Sequence, residues 1–186
     1  MLITSRQSVM KKWEKMYFSG KKCSTFVAVK PQKGTDMGYI VGHFTCKLDS
    51  KGRLMLPSEF KEQMGAQADE GFVLRPGLFD NCKCLDLYTR RDWDELQDKM
   101  RNSLNLFDED DLATIRFFNS GARFAKLDAN GRLQIPKDLM DKGLLAKEVV
   151  IESVANKMEI WDKERYEASI GAVDNKKVLQ ILRNIK

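Results

Sequence analysis

The hydropathy pattern of this 186-residue chain repeats itself at long range. Around residue 49 apolar and polar positions alternate, pause over four residues, and alternate again: Lys47-Leu48-Asp49-Ser50-Lys51-Gly52-Arg53-Leu54-Met55-Leu56-Pro57. The same pattern returns as Lys126-Leu127-Asp128-Ala129-Asn130-Gly131-Arg132-Leu133-Gln134-Ile135-Pro136, with seven of eleven positions identical at an offset of 79 residues. Period-two alternation predicts half-buried strands on both sides of the pause. The pause predicts a tight turn. An Asp carboxylate accepts nearby backbone N–H groups, and a Gly tolerates the positive φ that closes a bulged hairpin. Pro57 and Pro136 end the returning strands and suit the first turn of a following helix.

Further alternation and clustering extend the repeat. In the first unit, placed at 43–91, Phe60 and Met64 share one helical face. Phe72-Val73-Leu74 and Leu85 to Tyr88 then read as two more strands. In the second unit, placed at 123–166, Val149-Val150-Ile151 and Met158 to Trp161 match them at offsets of 77 and 73. Residues 92–120 link the units with two helices, one striped by Trp93, Leu96 and Met100, the other by Leu112, Ile115 and Phe118. Asp108 to Asp111 form the acidic first turn of the second, where the helix dipole favours negative charge. Residues 167–186 form a separate tail whose apolar stripe is Val178, Ile181, Leu182 and Ile185. The expected architecture is α+β: duplicated β-β-α-β-β-α units around a pseudo-two-fold β-barrel core with flanking helices.

Composition narrows the function classes. Hydrophobic residues are 42 % and charged ones 32 %, an ordinary globular balance. No apolar run is long enough to span a membrane. The start is basic but lacks the apolar stretch of a signal peptide. Cys23, Cys46, Cys82 and Cys84 have no C-x-x-C spacing and read as free thiols. The single histidine, His43, has no acidic neighbours in sequence, and no nucleophile triad, phosphate loop or metal-ligand spacing occurs. An enzyme, a metal and a cofactor are therefore not expected, nor is a small-molecule substrate.

The net charge of +5 is localised. Residues 1–36 carry seven Lys and one Arg against Glu14 and Asp36, so the remaining 150 residues sum to −1. The first 36 residues read as a flexible basic arm, with Met37 as an alternative start. Nucleic-acid binding must then rest on local placement. Arg53 and Arg132 leave their turns at fixed points beside Asp49 and Asp128, which orient them, with Gly52 and Gly131 shaping the turns. Lys47, Lys51, Lys126 and Asn130 add donors close by. Arg and Asn suit guanine and adenine edges, and Lys suits phosphate. The competing reading is that Asp and Arg only hold the turn shut.

The doubled L-D-x-x-G-R-L-x-[IL]-P motif, with Arg116-Phe117-Phe118-Asn119-Ser120-Gly121-Ala122 between its copies and Ile160-Trp161-Asp162-Lys163 downstream, resembles the MraZ family. The resemblance spans about residues 37–166. The wider AbrB/SpoVT-type swapped-hairpin domains carry one such unit per chain and pair two chains. The resemblance implies a cytoplasmic, nucleoid-associated transcriptional regulator. It would bind double-stranded DNA at short direct repeats upstream of division and cell-wall genes, as a ring of subunits. The family motif falls on Asp49, Arg53, Asp128 and Arg132. An oligomeric module that binds protein through these turns, without DNA, is the alternative.

Overall fold

A computed structural model of the chain describes residues 40–79 and 83–185. The basic arm, the Met37 start, Cys23 and Cys82 lie outside the described residues. Eight strands and seven helices are found among the described residues. The first half holds β1 (His43–Lys47), β2 (Arg53–Met55), α1 (Ser58–Met64), α2 (Gln67–Glu70), β3 (Phe72–Pro76) and β4 (Cys84–Thr89). Two helices follow, α3 (Arg90–Ser103) and α4 (Glu109–Asn119). The second half holds β5 (Arg123–Ala125), β6 (Arg132–Gln134), α5 (Lys137–Gly143), β7 (Glu148–Val154), β8 (Lys157–Asp162), α6 (Lys163–Gly171) and α7 (Asn175–Arg183).

The larger sheet is antiparallel, in the order β1-β7-β8-β4-β3-β5, and β2 pairs with β6 in a separate ribbon. Replacing each strand by its counterpart in the sequence repeat reverses this order without changing it. The first strand of each half crosses over: β1 pairs with β7, and β5 with β3. At the middle of the larger sheet Asp86 faces Glu159, and at the middle of the ribbon Leu54 faces Leu133. Both are pairs of equivalent residues in the repeat.

The expected barrel is not closed. β1 and β5 are edges of the larger sheet, and the ribbon meets them only through the single bridges Leu48↔Leu54 and Leu127↔Leu133. The physical reason lies in the repeated turns. Each reverses the chain within five residues of Leu48 or Leu127, so only one bridge forms before the strand leaves.

One core serves both halves. Leu54, Phe60, Met64 and Phe72 pack with Leu133, Ile135, Leu139, Val149 and Ile151, all of them at 0 % exposure. Each such side chain stabilises the fold by about 1.5–3 kcal/mol through removal from water. α1 and α5 begin directly after Pro57 and Pro136, so each turn, returning strand and helix form one short rigid run. α3 starts at an N-cap in which the Thr89 hydroxyl accepts from Asp92 N–H. Its Trp93 stacks on Phe118 of α4 with ring centroids 5.6 Å apart. Phe118 is buried, so the expected apolar stripe of α4 does enter the core.

Candidate nucleic-acid interface

The two turns have nearly the same geometry. In the first, Gly52 N–H donates to the Asp49 carbonyl at 3.0 Å and Asp49 N–H to the Arg53 carbonyl at 2.9 Å. The Asp49 carboxylate accepts from Lys51 N–H at 2.9 Å and Arg53 N–H at 3.0 Å. Its second oxygen accepts from Arg53 Nε at 2.7 Å and lies 2.6 Å from Nη2. In the second, Gly131 N–H donates to the Asp128 carbonyl at 2.8 Å, and Asp128 N–H to the Arg132 carbonyl at 2.9 Å. The Asp128 carboxylate accepts from Asn130 N–H at 2.9 Å, Arg132 N–H at 3.0 Å and Arg132 Nε at 2.8 Å. Gly52 and Gly131 both have φ of +73°. A Cβ on Gly52 would stand 2.7 Å from Met140 Sδ and 3.2 Å from the Ile135 carbonyl, so glycine is required there by conformation and by space.

Each Arg is therefore held by its own Asp, which leaves the Nη1 edge without a hydrogen-bond partner among the described residues. The register of the ribbon sets where the two guanidiniums stand. Arg53 faces Gln134 and Met55 faces Arg132, while Leu54 and Leu133 point into the core. Arg53, Met55, Arg132 and Gln134 consequently share the outer face. The two arginines are diagonal neighbours there, with Cα atoms about 7–8 Å apart.

The backbone N–H bonds from Arg53, then its side chain and Lys51, hold the Asp49 carboxyl below its usual 3.8; burial opposes them. Asp128 is lowered in the same way by Arg132 and Asn130. A carboxylate depressed in the folded protein contributes stability above its unfolded value and loses it as pH falls through the folded one. Acid is therefore expected to loosen both turns only below about pH 4. Carboxyl carbon chemical shifts followed against pH should give both Asp midpoints below 3.8. Midpoints at or above that value would show that the turns do not favour the charged carboxylates over their protonated forms.

The other expected donors divide between the halves. Lys51, Lys126 and Asn130 are exposed, and their side chains make no hydrogen bond or ion pair among the described residues. Lys47 instead lies 3.3 Å from Glu148. Beside the second turn, Lys61, Asp69, Lys126 and Asp128 line a pocket of about 420 Å3. Lys61 Nζ stands 2.8 Å from where a Gly131 Cβ would be, and its counterpart beside Gly52 is the uncharged Met140. The second turn therefore has the greater density of uncommitted cations.

Two contributors escaped the sequence reading. Gln134 Nε2 reaches across the ribbon and donates to the carbonyls of Lys51 at 2.8 Å, Ile135 at 3.1 Å and Gly52 at 3.3 Å. Its repeat counterpart Met55 has no amide to do this. Gln134→Met should speed amide exchange at the first turn but not the second. It should cost about 0.5–1.5 kcal/mol of stability, the usual net worth of a hydrogen bond. Equal changes at both turns would contradict that assignment. The second contributor is Lys61, whose only sequence signal is its position after the turn and at the end of a helical turn.

Away from the ribbon, burial creates an ionic network. Arg75 Nη1 lies 3.2 Å from Asp86, and both side chains are almost fully buried. Lys157 contacts Asp86 and lies 2.8 Å from Glu159. Trp161 Nε1 donates to Glu159 at 2.9 Å, and the Arg75 guanidinium lies 4.4 Å from the Phe118 ring centroid. Burial alone would lower the Lys157 pKa, but the Asp86 and Glu159 carboxylates outweigh it and the pKa is raised. Cys84, Asp86 and Glu159 have ligand atoms within 4.8 Å of one another. Lys157 already places a cation on two of them, so this cluster reads as a structural ion network.

His43, without acidic neighbours in sequence, meets Glu152 at 2.6 Å, and the Tyr166 hydroxyl donates to the same carboxylate at 2.9 Å. Desolvation first, then Glu152, raise the Tyr166 pKa to about 12. This trio joins β1, β7 and α6 at the surface. Cys46 and Cys84 form no disulfide among the described residues. No helix among the described residues is long and apolar enough to cross a membrane.

Comparison with known proteins gives this geometry its family. The family model described as "MraZ protein, putative antitoxin-like" matches twice, at residues 40–117 and 118–176. A transcriptional regulator MraZ of Flavobacterium psychrophilum is 45 % identical over 134 residues, 72 % of this chain and 83 % of that protein. Its namesake in Christiangramia forsetii is 42 % identical over 131 residues, 70 % of this chain and 83 % of that protein. One from Alkaliphilus metalliredigens is 40 % identical over 126 residues, 68 % of this chain and 82 % of that protein. Both turns fall inside the matched segments, one in each, and the chain belongs to the MraZ family.

Proposed function

We propose that the protein is a transcriptional regulator that binds double-stranded DNA through its two Asp-x-x-x-Arg turns. The observation that carries this reading is the ribbon register, which puts Arg53 and Arg132 side by side on one outer face. Asp49 and Asp128 hold the guanidiniums pre-ordered, so little side-chain entropy is lost on binding. Arg53 and Arg132 enter a groove or clamp its phosphates. Lys51, Lys126 and Asn130 contact the flanking backbone and bases, and Lys61 beside Gly131 and Lys47, which is paired with Glu148, add positive charge nearby. The relatives are named as transcriptional regulators, which fits this assignment. The strand order supports reading residues 43–91 and 123–166 as duplicated halves around a pseudo-two-fold axis, joined by the helices of 92–120.

One such face offers few positive contacts, and residues 37–186 carry a net charge of −1. A lone subunit is therefore a weak binder. A ring of subunits presents the face several times along one duplex, and each further contact is intramolecular. On this reading the target is a set of short direct repeats, upstream of the division and cell-wall genes that the family resemblance implies, and the protein works at the nucleoid.

The test is a titration of labelled duplexes carrying one, two or four direct repeats at two salt concentrations. Affinity should rise at least about tenfold from one repeat to four and fall steeply with salt, because phosphate contacts release counterions. Equal affinity for one repeat and four would sink the multivalent account. No salt-sensitive binding to any duplex would favour a protein partner at the same turns.

A further inference from the structure

The C-terminal helix α7 has no buried residue, and every residue from 167 to 185 is exposed. Val178, Ile181, Leu182 and Ile185 nevertheless form one apolar stripe, at 38–69 % exposure. Lys176, Lys177 and Arg183 surround it. Asp174 caps the helix by accepting from Lys176 N–H at 2.9 Å. Isolated helices under about 12 residues are marginal in water. This nine-residue helix therefore needs a surface that its own fold does not provide.

A second exposed apolar surface has the opposite charge. Leu106 is 48 % exposed, Phe107 99 % and Phe117 45 %. Phe107 does not sit on a frayed loop. Its N–H donates to Asn105 Oδ1 at 3.0 Å, Asn105 N–H donates to Asp111 at 2.9 Å, and Asp108 caps α4. Asp110, Ala113 and Phe117 lie on one face of α4 by helical spacing. Asp108, Glu109 and Asp110, all exposed, follow Leu106 and Phe107 directly, and the exposed Arg116 beside Phe117 offsets only one of the three charges.

We infer that α7 of one copy packs on the acidic, apolar surface of the α3–α4 link and α4 in a second copy. Charge selects this occupant. Pairing α7 with another α7 would set Lys176, Lys177 and Arg183 against themselves, whereas the α4 surface brings Asp108, Glu109 and Asp110 to them. The two patches differ, so the contact is head-to-tail, and repetition closes a ring where the rotation allows it. A short helix makes each contact weak alone, and ring closure gives every copy two. The inference deepens the ring proposed above and rests on it for its functional meaning, but its test is independent of DNA.

The test uses full-length protein and sedimentation velocity. Ile181→Asp and the doubles Lys176→Glu/Lys177→Glu and Glu109→Lys/Asp110→Lys change only exposed residues, so folding should persist by circular dichroism. Each should weaken assembly by at least about tenfold, as charge mismatch at an interface does. Mixing the two charge-reversed doubles should restore it, because each then meets an opposite partner. A wild type that stays monomeric overturns the inference. So does unchanged assembly of the Glu109→Lys/Asp110→Lys variant, or a mixture that fails to recover. Binding of a single-repeat duplex by these variants should match wild type; its loss with normal assembly would instead count against the turns as the DNA-binding surface.

Discussion

Arg53→Ala/Arg132→Ala should lose duplex binding by a factor between about thirty and twenty thousand, with the fold intact. The range follows from about 1–3 kcal/mol for each well-placed Arg contact with a base edge. Where the arginines grip phosphate instead, the salt slope should shrink by about one for each Arg removed per bound subunit. Stability should change little. The two Arg side chains are 27 % and 25 % exposed, and exposed ion pairs contribute about 0–1 kcal/mol. Each Asp keeps its backbone partners, so the turns should survive. Retained affinity in the double variant would leave the Asp–Arg pairs with only a role in holding the turns shut. A melting temperature collapsing along with affinity would leave the same reading in place, because unfolding would account for the loss.

Asp86→Leu should be the most destabilising single change in the ionic network. It strands Arg75, whose side chain is 3 % exposed and whose Nε already lacks a partner. Breaking one side of a buried ion pair costs about 3–5 kcal/mol, whereas replacing both partners by apolar groups is often neutral. At about 2–4 °C per kcal/mol for a chain of this size, the melting point should fall by roughly 6–20 °C. Arg75→Met/Asp86→Leu should recover much of that loss, since Lys157 retains Glu159. Urea denaturation of the three proteins separates the cases. A loss below about 1 kcal/mol for Asp86→Leu would show that the network is dispensable.

What the sequence disclosed was local. Asp, Gly and Arg at fixed offsets define a turn by their own hydrogen bonds and dihedrals, so the geometry at Asp49 and Asp128 was legible without any partner. The strands β3, β4, β7 and β8 were legible because each is a short apolar run between turn signals. The crossovers of β1 to β7 and of β5 to β3 were not, because pairing at that separation is decided by the shared core. The same limit hid the charge network. Asp86 sits between Leu85 and Leu87, where alternation reads it as a solvent-facing position, yet it is fully buried at the centre of the sheet. His43, Glu152 and Tyr166 converge from three elements with no local signature. The repeat also concealed its own asymmetry. Lys61 and Gln134 occupy positions whose counterparts are Met140 and Met55, so equivalent sites carry different chemistry and only the folded ribbon shows what each one touches.

The central claim is that the ribbon face bearing both turns is the DNA-binding surface. Amide hydrogen exchange, with and without a duplex of four direct repeats, tests it most directly. The account predicts new protection at residues 49–53 and 128–132 together, with little change at His43, Glu152 and Tyr166. Protection confined to residues 1–36, or to neither turn while the duplex is bound, would contradict it.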